Sequence, residues 1–358
     1  MKLIDRYIIT KFLSTFFFAL GLIILIAIVF DISEKIDDFI EKEAPLSAII
    51  FDYYLNFIPY FANLFSPLFV FISVIFFTSK MASQTEIVAI LASGVSFRRL
   101  LMPYLVVAVF LSGMSFYLNG WVIPHANKTR LEFENTYIKN PYVFKSRNIH
   151  RQIVPGEFIY FESFNNIDNL GYRFSYEIFE KGVLIYKLRA ERLIWNDDSE
   201  KWAVENYSIR RIDGIQESLF HGSKVDTTFN FTPDEFGKRI NNIETMDMGE
   251  LSNHISAKKI RGAEGIQFDQ VEKYKRSAFP FATFILTLIG VSLSSRKVRG
   301  GIGLQIGLGL LLSFSYIMFI QITTTFATNG NVPALVAVWI PNIVYSFIAA
   351  YLLKNAPK

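Results

Sequence analysis

The side chains that could carry out covalent chemistry in this sequence are few and far apart. The chain has no cysteine, which excludes a thiolate nucleophile, a metal–thiolate site and a disulfide. Its four histidines form no pair at the helical spacing of metal ligands; they are His125, His150, His221 and His254. No Gly-x-x-x-x-Gly-Lys-Ser/Thr motif is present to hold the phosphates of ATP. We therefore predict no catalytic residue, no cofactor and no metal site.

The composition is that of a membrane protein. Of the 358 residues, 51% are hydrophobic and only 19% are charged, whereas a typical soluble domain has about 25% charged residues. The mean hydropathy is +0.31. The formal net charge of +4 is too small and too dispersed to indicate nucleic-acid binding.

Six uncharged apolar runs are long enough to cross a bilayer, which takes about 20 residues. The first run is too long for a signal peptide and lacks small residues at its end, so we expect a retained helix. No run carries an ionisable side chain near its centre, which argues against an ion-coupled pump. The predicted spans are 12–30, 53–79, 100–123, 277–295 and two within 300–353, divided at 328–333.

Basic residues are concentrated in the segments that we assign to the cytoplasm. The N-terminus, the 79–99 and 296–299 loops and the tail carry eleven Lys and Arg residues but only two acidic ones. The 31–52 loop has the opposite bias, with seven acidic residues and two basic ones. By the positive-inside rule, both termini are predicted to be cytoplasmic and the segment 125–276 to lie outside.

The segment 125–276 is long enough for one independent core and has the pattern of short strands. Turn signals such as Lys181-Gly182 and Asp213-Gly214 separate the strands. Helices are predicted from Thr232-Pro233 and over Met248–Lys259. The strands and helices together indicate an antiparallel sandwich or jelly-roll. The predicted strands are Phe158–Phe164, Tyr172–Phe179, Val183–Trp195 and Trp202–Ile212.

The predicted fold class is therefore an α+β membrane protein with six transmembrane helices and an inserted extracytoplasmic antiparallel β jelly-roll-like domain. Residues 1–124 hold the first three helices, 125–276 the β domain and 277–358 the last three helices. The many aromatic residues of the β domain fit an ordinary sheet core. They also fit an apolar trough that holds acyl chains, and the sequence leaves both interpretations open.

A short helix is predicted at about 84–94, between the second and third spans. Ser83 and Glu86 have the spacing of a capping box, and Gly94 is a typical helix stop. The remaining ten or so residues extend roughly 15 Å, which is too short to span a membrane. One face would hold Ile87, Ile90, Leu91 and Gly94, and another would hold Glu86, Ala89 and Ser93.

Two interpretations fit this helix. It could be an interfacial helix that only reverses the chain, with Glu86 as a cap. It could instead be a docking helix whose small residues allow a cytosolic partner to approach closely.

The run 85–96, Thr-Glu-Ile-Val-Ala-Ile-Leu-Ala-Ser-Gly-Val-Ser, resembles the coupling-helix motif of the LptF/LptG family of lipopolysaccharide export permeases. The Leu3–Ile8 opening, the Trp121–Pro124 run and Thr232-Pro233-Asp234 are also similar to members of this family. The order of three spans, an external domain and three spans is similar as well, so the resemblance covers nearly the whole chain. The Asp-Arg-Tyr-Ile opening resembles LptG more than LptF.

The resemblance implies a non-catalytic permease subunit of an ATP-driven transporter in the bacterial inner membrane. Such a permease pairs with a homologous second permease, a dimer of a cytoplasmic ABC ATPase and an LptC-type single-span subunit. Lipopolysaccharide enters a cavity lined by the first, second and fifth spans. It then passes over periplasmic jelly-roll domains to a bridge toward the outer membrane. The ATPase-coupling residues implied here are Glu86, Ile87, Ala89, Ile90, Ser93 and Gly94.

The first span departs from the family pattern at its outer end. Some LptG-like members carry several lysines there, suited to lipid A phosphates, whereas Lys35 is the only cation in the run 31–38 of this chain. Lys35 and Asp31 are therefore the candidate headgroup residues. Because a carboxylate repels phosphate unless a divalent cation bridges them, headgroup recognition must differ here or draw cations from the partner permease.

Two functions of other classes also fit part of the sequence. A membrane-anchored envelope scaffold would explain the β domain but not the coupling-helix motif. A lipid-modifying enzyme would need clustered acids or a Ser/His pair in the β domain, where only isolated candidates such as His150, His221 and Glu157 occur.

Overall fold

A computed structural model of the chain describes residues 3–138, 147–197, 199–233, 240–260, 265–295 and 301–356. The chain divides into two compact units, which are described separately. The helical unit consists of Met1–Ile138, Glu244–Gly249 and Gln267–Lys358. The sheet unit consists of Lys139–Ile243 and Glu250–Ile266.

Within the described residues, six helices are long and apolar enough to cross a membrane, which confirms the six predicted spans. The helices are α1 (Leu3–Glu41), α2 (Leu46–Ser83), α3 (Glu86–Ala92), α4 (Phe97–Tyr137), α5 (Met248–Ile260), α6 (Ile266–Ser294), α7 (Gly301–Thr328) and α8 (Ala334–Lys354). The six spans are α1, α2, α4, α6, α7 and α8. One turn of α2, Ile49–Tyr54, and one turn of α4, Leu118–Val122, are π-helical.

Several spans extend beyond the apolar runs in the sequence. Helix α4 continues to Tyr137 and α6 already begins at Ile266. A helix can continue beyond the membrane with polar residues, whereas the apolar runs in the sequence mark only its apolar part. The sheet unit is consequently shorter than the predicted segment 125–276. Helix α5 confirms the helix predicted over Met248–Lys259. The helix predicted from Thr232-Pro233 falls largely on 234–239, outside the described residues.

The core of the helical unit contains a straight stripe of α1. Four residues at four-residue spacing are buried, and the shared spacing places them on one helix face. They pack against α2, α3 and the first turns of α4. The stripe consists of Ile8, Phe12, Phe16 and Leu20.

Several amide and hydroxyl side chains inside the spans are paired across helices. The Asn63 amide donates to Asn119 Oδ1 at 2.9 Å, and the Ser115 hydroxyl donates to Asn63 Oδ1 at 2.7 Å. In the second half of the chain, Asn342 accepts from the Tyr316 hydroxyl at 2.8 Å and donates to the Ala278 carbonyl at 2.9 Å. These hydrogen bonds hold neighbouring helices together where no water is available.

The sheet unit contains one six-stranded antiparallel sheet. Its strands are β1 (Arg147–Val154), β2 (Glu157–Asn165), β3 (Leu170–Glu180), β4 (Val183–Asn196), β5 (Lys201–Asp213) and β6 (Gln216–Thr227). Each described strand pairs with its neighbour in the chain. The connectivity seen is therefore a meander, without the Greek-key crossing of a complete jelly roll.

The four predicted strands are confirmed as β2 to β5. The Lys181-Gly182 turn joins β3 to β4, and both of its residues have positive φ.

One face of this sheet carries an aromatic core. Phe161, Phe174 and Trp202 are fully buried, and the Trp202 indole donates to the Phe231 carbonyl at 3.0 Å. Gly171 on β3 leaves room for the Phe161 ring, because a Cβ at Gly171 would overlap it. These packed residues support the interpretation as an ordinary sheet core.

We expect Gly171→Ala to destabilise the sheet unit. The added methyl group displaces the fully buried Phe161 ring, and overpacking of this kind costs about 1–3 kcal/mol. Thermal unfolding followed by tryptophan fluorescence would measure the loss, because Trp195 and Trp202 lie in this unit. Adding Phe161→Leu should recover part of the loss; equal stability of Gly171→Ala and the parent chain would contradict the packing argument.

Candidate functional site

Helix α3 is a short helix between two spans, but it begins at a different residue from the one that the sequence predicts. The capping box is wrong: Ser83 is the last residue of α2, and its hydroxyl donates to the Lys80 carbonyl at 2.8 Å. The chain reverses at Thr85, which has φ +64°, so α3 has seven residues rather than about ten. The predicted stop is confirmed, since Gly94 has φ +88° and its N–H donates to the Leu91 carbonyl.

Helix α3 has one face in the core and one face at the surface. Ile87 is only 1% exposed, and Ile90 and Leu91 are half-buried against the same cluster. The opposite face is exposed and, apart from Val88, made of small residues: Ala89, Ala92, Ser93 and Gly94. The core contacts hold a surface of small side chains in one orientation, where a protein partner can approach closely.

The first turns of α1 contact both ends of the run 86–99, which holds α3, its connection to α4 and the first turn of α4, and which we call the α3 segment. The Tyr7 hydroxyl donates to Glu86 Oε2 at 3.4 Å, at the start of α3. Arg99 Nη2 donates to Asp5 Oδ2 at 2.6 Å, shortly after α3 ends. In the sequence, the Asp-Arg-Tyr run stands out only through its resemblance to the family. The contacts are not predictable from it, because they join residues 79 and 94 positions apart.

Lys35 and Asp31 lie together, as partners of each other. Lys35 Nζ is 2.6 Å from Asp31 Oδ1 and also donates to the Tyr53 hydroxyl. The Tyr54 hydroxyl donates to Asp31 Oδ2 at 3.1 Å. Both tyrosines belong to the π-helical turn of α2 and are buried. The charge of the candidate headgroup lysine is therefore compensated within the chain.

Buried charges also join α4, α6 and the segment before α5. Arg276 is 5% exposed, donates to Glu272 Oε1 at 3.0 Å and donates to the Met246 carbonyl. Arg130 lies 3.7 Å from Glu134 and over the Tyr60 ring. Glu244 faces Glu134, Glu272, Arg130 and Arg276, and burial together with the two neighbouring carboxylates raises the pKa of Glu244. All of these residues except Tyr60 fall in the predicted external segment 125–276, and no local pattern in the sequence indicates the cluster.

The residues considered for an enzyme are not brought together. His150 and His221 lie on the same face of the sheet but on opposite edge strands, with four strands between them, a separation of about 24 Å. Glu157 accepts a hydrogen bond from the Tyr176 hydroxyl at 2.5 Å. Within the described part of the chain, no group of three or more His, Asp or Glu residues is arranged to hold a metal ion.

The six spans and the inserted antiparallel sheet define a multi-pass membrane protein of the α+β class. The family model described as "Lipopolysaccharide export system permease LptF/LptG" matches residues 6–355, and the chain belongs to this family. The chain is similar to the lipopolysaccharide export system permease protein LptG of Escherichia coli strain K12 and of Escherichia coli O6:H1 strain CFT073. Each is 18% identical over 318 residues, covering 85% of this chain and 84% of the relative.

Membership of the family gives the general role. The chain is a multi-pass inner-membrane permease component of a lipopolysaccharide transporter rather than a catalytic enzyme. The relatives match over most of their length, so the assignment rests on both the helical and the sheet parts of the chain.

We expect Lys35→Met to lower the stability of the helical unit. The change leaves the Asp31 carboxylate largely buried without its cation, which costs about 1–3 kcal/mol. Thermal unfolding in detergent would measure the loss, with Lys11→Met as the matched control, because Lys11 is exposed on the same helix. The double variant Asp31→Asn/Lys35→Met should recover much of the loss. Equal effects of Lys35→Met and Lys11→Met would contradict the assignment.

We expect Glu244→Gln to stabilise the protein at neutral pH. Because the pKa of Glu244 is raised in the folded state, its contribution to stability is fully present below the ordinary glutamate pKa. The contribution is lost as the pH rises through the folded value. The melting temperature of Glu244→Gln should therefore exceed that of the parent at pH 7, and the two should converge toward pH 4. A difference that does not change with pH would contradict this account.

Proposed function

We propose that this chain is one of two permease subunits of an ATP-driven complex that extracts lipopolysaccharide from the inner membrane. The complex passes the lipid to a periplasmic bridge toward the outer membrane. The observation that carries the proposal is the small-residue surface of α3, held rigidly between two spans. Because the sequence has no P-loop of its own, the energy must come from a separate ATPase.

The proposed orientation places both termini and α3 in the cytoplasm and the sheet unit in the periplasm. The excess of Lys and Arg in the 79–99 loop and at the N-terminus supports this orientation. It presents the α3 surface to a soluble ATPase and the sheet to the periplasmic side of the lipid path.

On this surface we assign different roles to the six coupling residues. Ala89, Ser93 and Gly94 are exposed and would contact an ATPase groove, and Glu86 at the start of α3 would present its carboxylate to it. Ile87 and Ile90 face the core, where they hold the helix in place.

The lipid path is proposed to run from the spans to the sheet. Lys35 is the candidate cation for a lipid A phosphate, and it would bind by exchanging the Asp31 carboxylate for the phosphate. The half-buried Tyr176, Tyr186 and Phe229, which pack against the sheet core, offer an apolar surface for acyl chains. The homologous permease and the LptC-type subunit complete the proposed complex.

We expect Ala89→Trp to remove the ATPase from the purified complex. The indole would fill the small-residue surface that the partner approaches, and we predict at least about a tenfold loss of bound ATPase, equivalent to about 1.4 kcal/mol. Glu86→Lys, which reverses the charge at the start of α3, should act in the same direction. Co-purification with the ATPase and ATP-dependent release of lipopolysaccharide from proteoliposomes would measure both variants.

Val109→Trp is the matched control, since it adds the same side chain at an exposed position of α4. It should leave the ATPase bound. A complex with Ala89→Trp that retains the ATPase and exports normally would refute the docking surface.

A further inference from the structure

We propose that two polar contacts, Asp5–Arg99 and Tyr7–Glu86, fix the first turns of α1 to the α3 segment, so that movement of α3 is transmitted to α1. We call these two contacts the α1–α3 clamp. The inference rests on the proposed function, because it assumes that an ATPase moves α3. Asp5, Tyr7 and Arg99 are positioning residues in this scheme.

The clamp holds the α3 segment at two points. Tyr7 contacts Glu86 at the first residue of α3. Asp5 contacts Arg99, whose backbone N–H also donates to the Ser96 hydroxyl at the start of α4. Glu86 lies on α3 itself and Arg99 on the first turn of α4, so a rotation of α3 displaces the Tyr7 contact directly and the Asp5 contact through the connection 93–96.

Apolar packing lies between the two polar contacts. Ile8 and Phe12 of α1 belong to the same buried cluster as Ile87 and Phe97. Apolar packing is non-directional and tolerates sliding, whereas a charge-assisted hydrogen bond of 2.6 Å fixes the positions of its partners. The Asp5 side chain is 13% exposed and the Arg99 side chain 38%. The Asp5–Arg99 contact therefore sets the position of α1 against the α3 segment, and the longer Tyr7–Glu86 contact adds a second point of attachment.

Helix α1 is held unevenly along its length. Beyond Leu20 its next buried residue is Phe39, and side chains between them, such as Leu25, Val29 and Phe30, are more than 60% exposed. A helix of 39 residues extends about 60 Å. Because α1 is anchored at its first turns and sparsely packed from there to the contacts of Asp31, Lys35 and Phe39, a small rotation at the clamp becomes a larger displacement of the stretch between these anchors.

The experiment separates docking from transmission in the complex assembled with its ATPase. We expect Asp5→Asn and Arg99→Gln to keep the ATPase bound but to lower the lipopolysaccharide delivered per ATP hydrolysed by about fivefold, the lower end of typical couplings between sites. Arg98→Gln is the matched control, because it removes the same charge from the adjacent, exposed position. The exchanged pair Asp5→Arg/Arg99→Asp should restore delivery.

A distance measurement tests the movement itself. The chain has no cysteine, so spin labels at Val29→Cys and Leu335→Cys report only on α1 and α8. ATP should change the distance between the labels in the otherwise unaltered chain, and Asp5→Asn should abolish most of the change. A merely structural role of Asp5 would not selectively remove this response while the ATPase remains bound.

The outcomes distinguish the two proposals. An unaltered chain that binds no ATPase would refute the proposed function. Normal delivery and a normal distance change in Asp5→Asn would overturn the clamp while leaving the proposed function intact. Loss of the ATPase from Asp5→Asn but not from Arg98→Gln would also overturn it, because the pair would then act in docking. If neither single variant can be purified, the exchanged pair must deliver the normal amount for the inference to stand.

Discussion

The absence of water in the hydrocarbon core constrains every polar group of the helical unit. A charged or hydrogen-bonding side chain near a span must find a partner in the protein, because the bilayer offers none. The Asn63–Asn119–Ser115 hydrogen bonds satisfy this requirement inside the spans, and the Lys35–Asp31 pair satisfies it near one end of α1. Lys35, which looks available in the sequence, is therefore already paired in the fold.

Packing against neighbouring helices explains how α3 is built. Its N-cap residue, Thr85, has a left-handed backbone conformation, which costs about 1–2 kcal/mol for a residue with a Cβ. Burial of Ile87 and partial burial of Ile90 and Leu91 offset this cost. Seven residues are too few to form a stable helix alone. The exposed surface of α3 consequently depends on the packing of α3 against the neighbouring helices. A displacement of α3 must therefore also displace the side chains of those helices.

Most helices and strands are predictable from local sequence patterns, whereas the long-range contacts are not. Apolar runs gave the spans, and alternation with turn residues gave β2 to β5, because both signals lie within a few neighbouring residues. The capping box failed because α2 continues through Ser83, which the spacing alone does not indicate. The two polar contacts of α1 with the α3 segment and the buried charges around Glu244 depend on how separate helices pack. No local pattern contains that information.

The charges at the two ends of α1 also limit how the helix can move. Asp5 pairs with Arg99 near one end, and Asp31 pairs with Lys35 toward the other. Sliding α1 along its axis would break the Asp5–Arg99 pair and the hydrogen bonds that Tyr53 and Tyr54 of α2 make with Lys35 and Asp31. It would also carry a charge into hydrocarbon, at a cost of about 2.5–3.5 kcal/mol for each charge. Tilting α1 about its first turns leaves the Asp5–Arg99 pair in place and changes contacts beyond Leu20, where the Asp31–Lys35 pair stays intact because both residues lie on α1. The charge pairs thus favour a change of tilt over a movement along the axis.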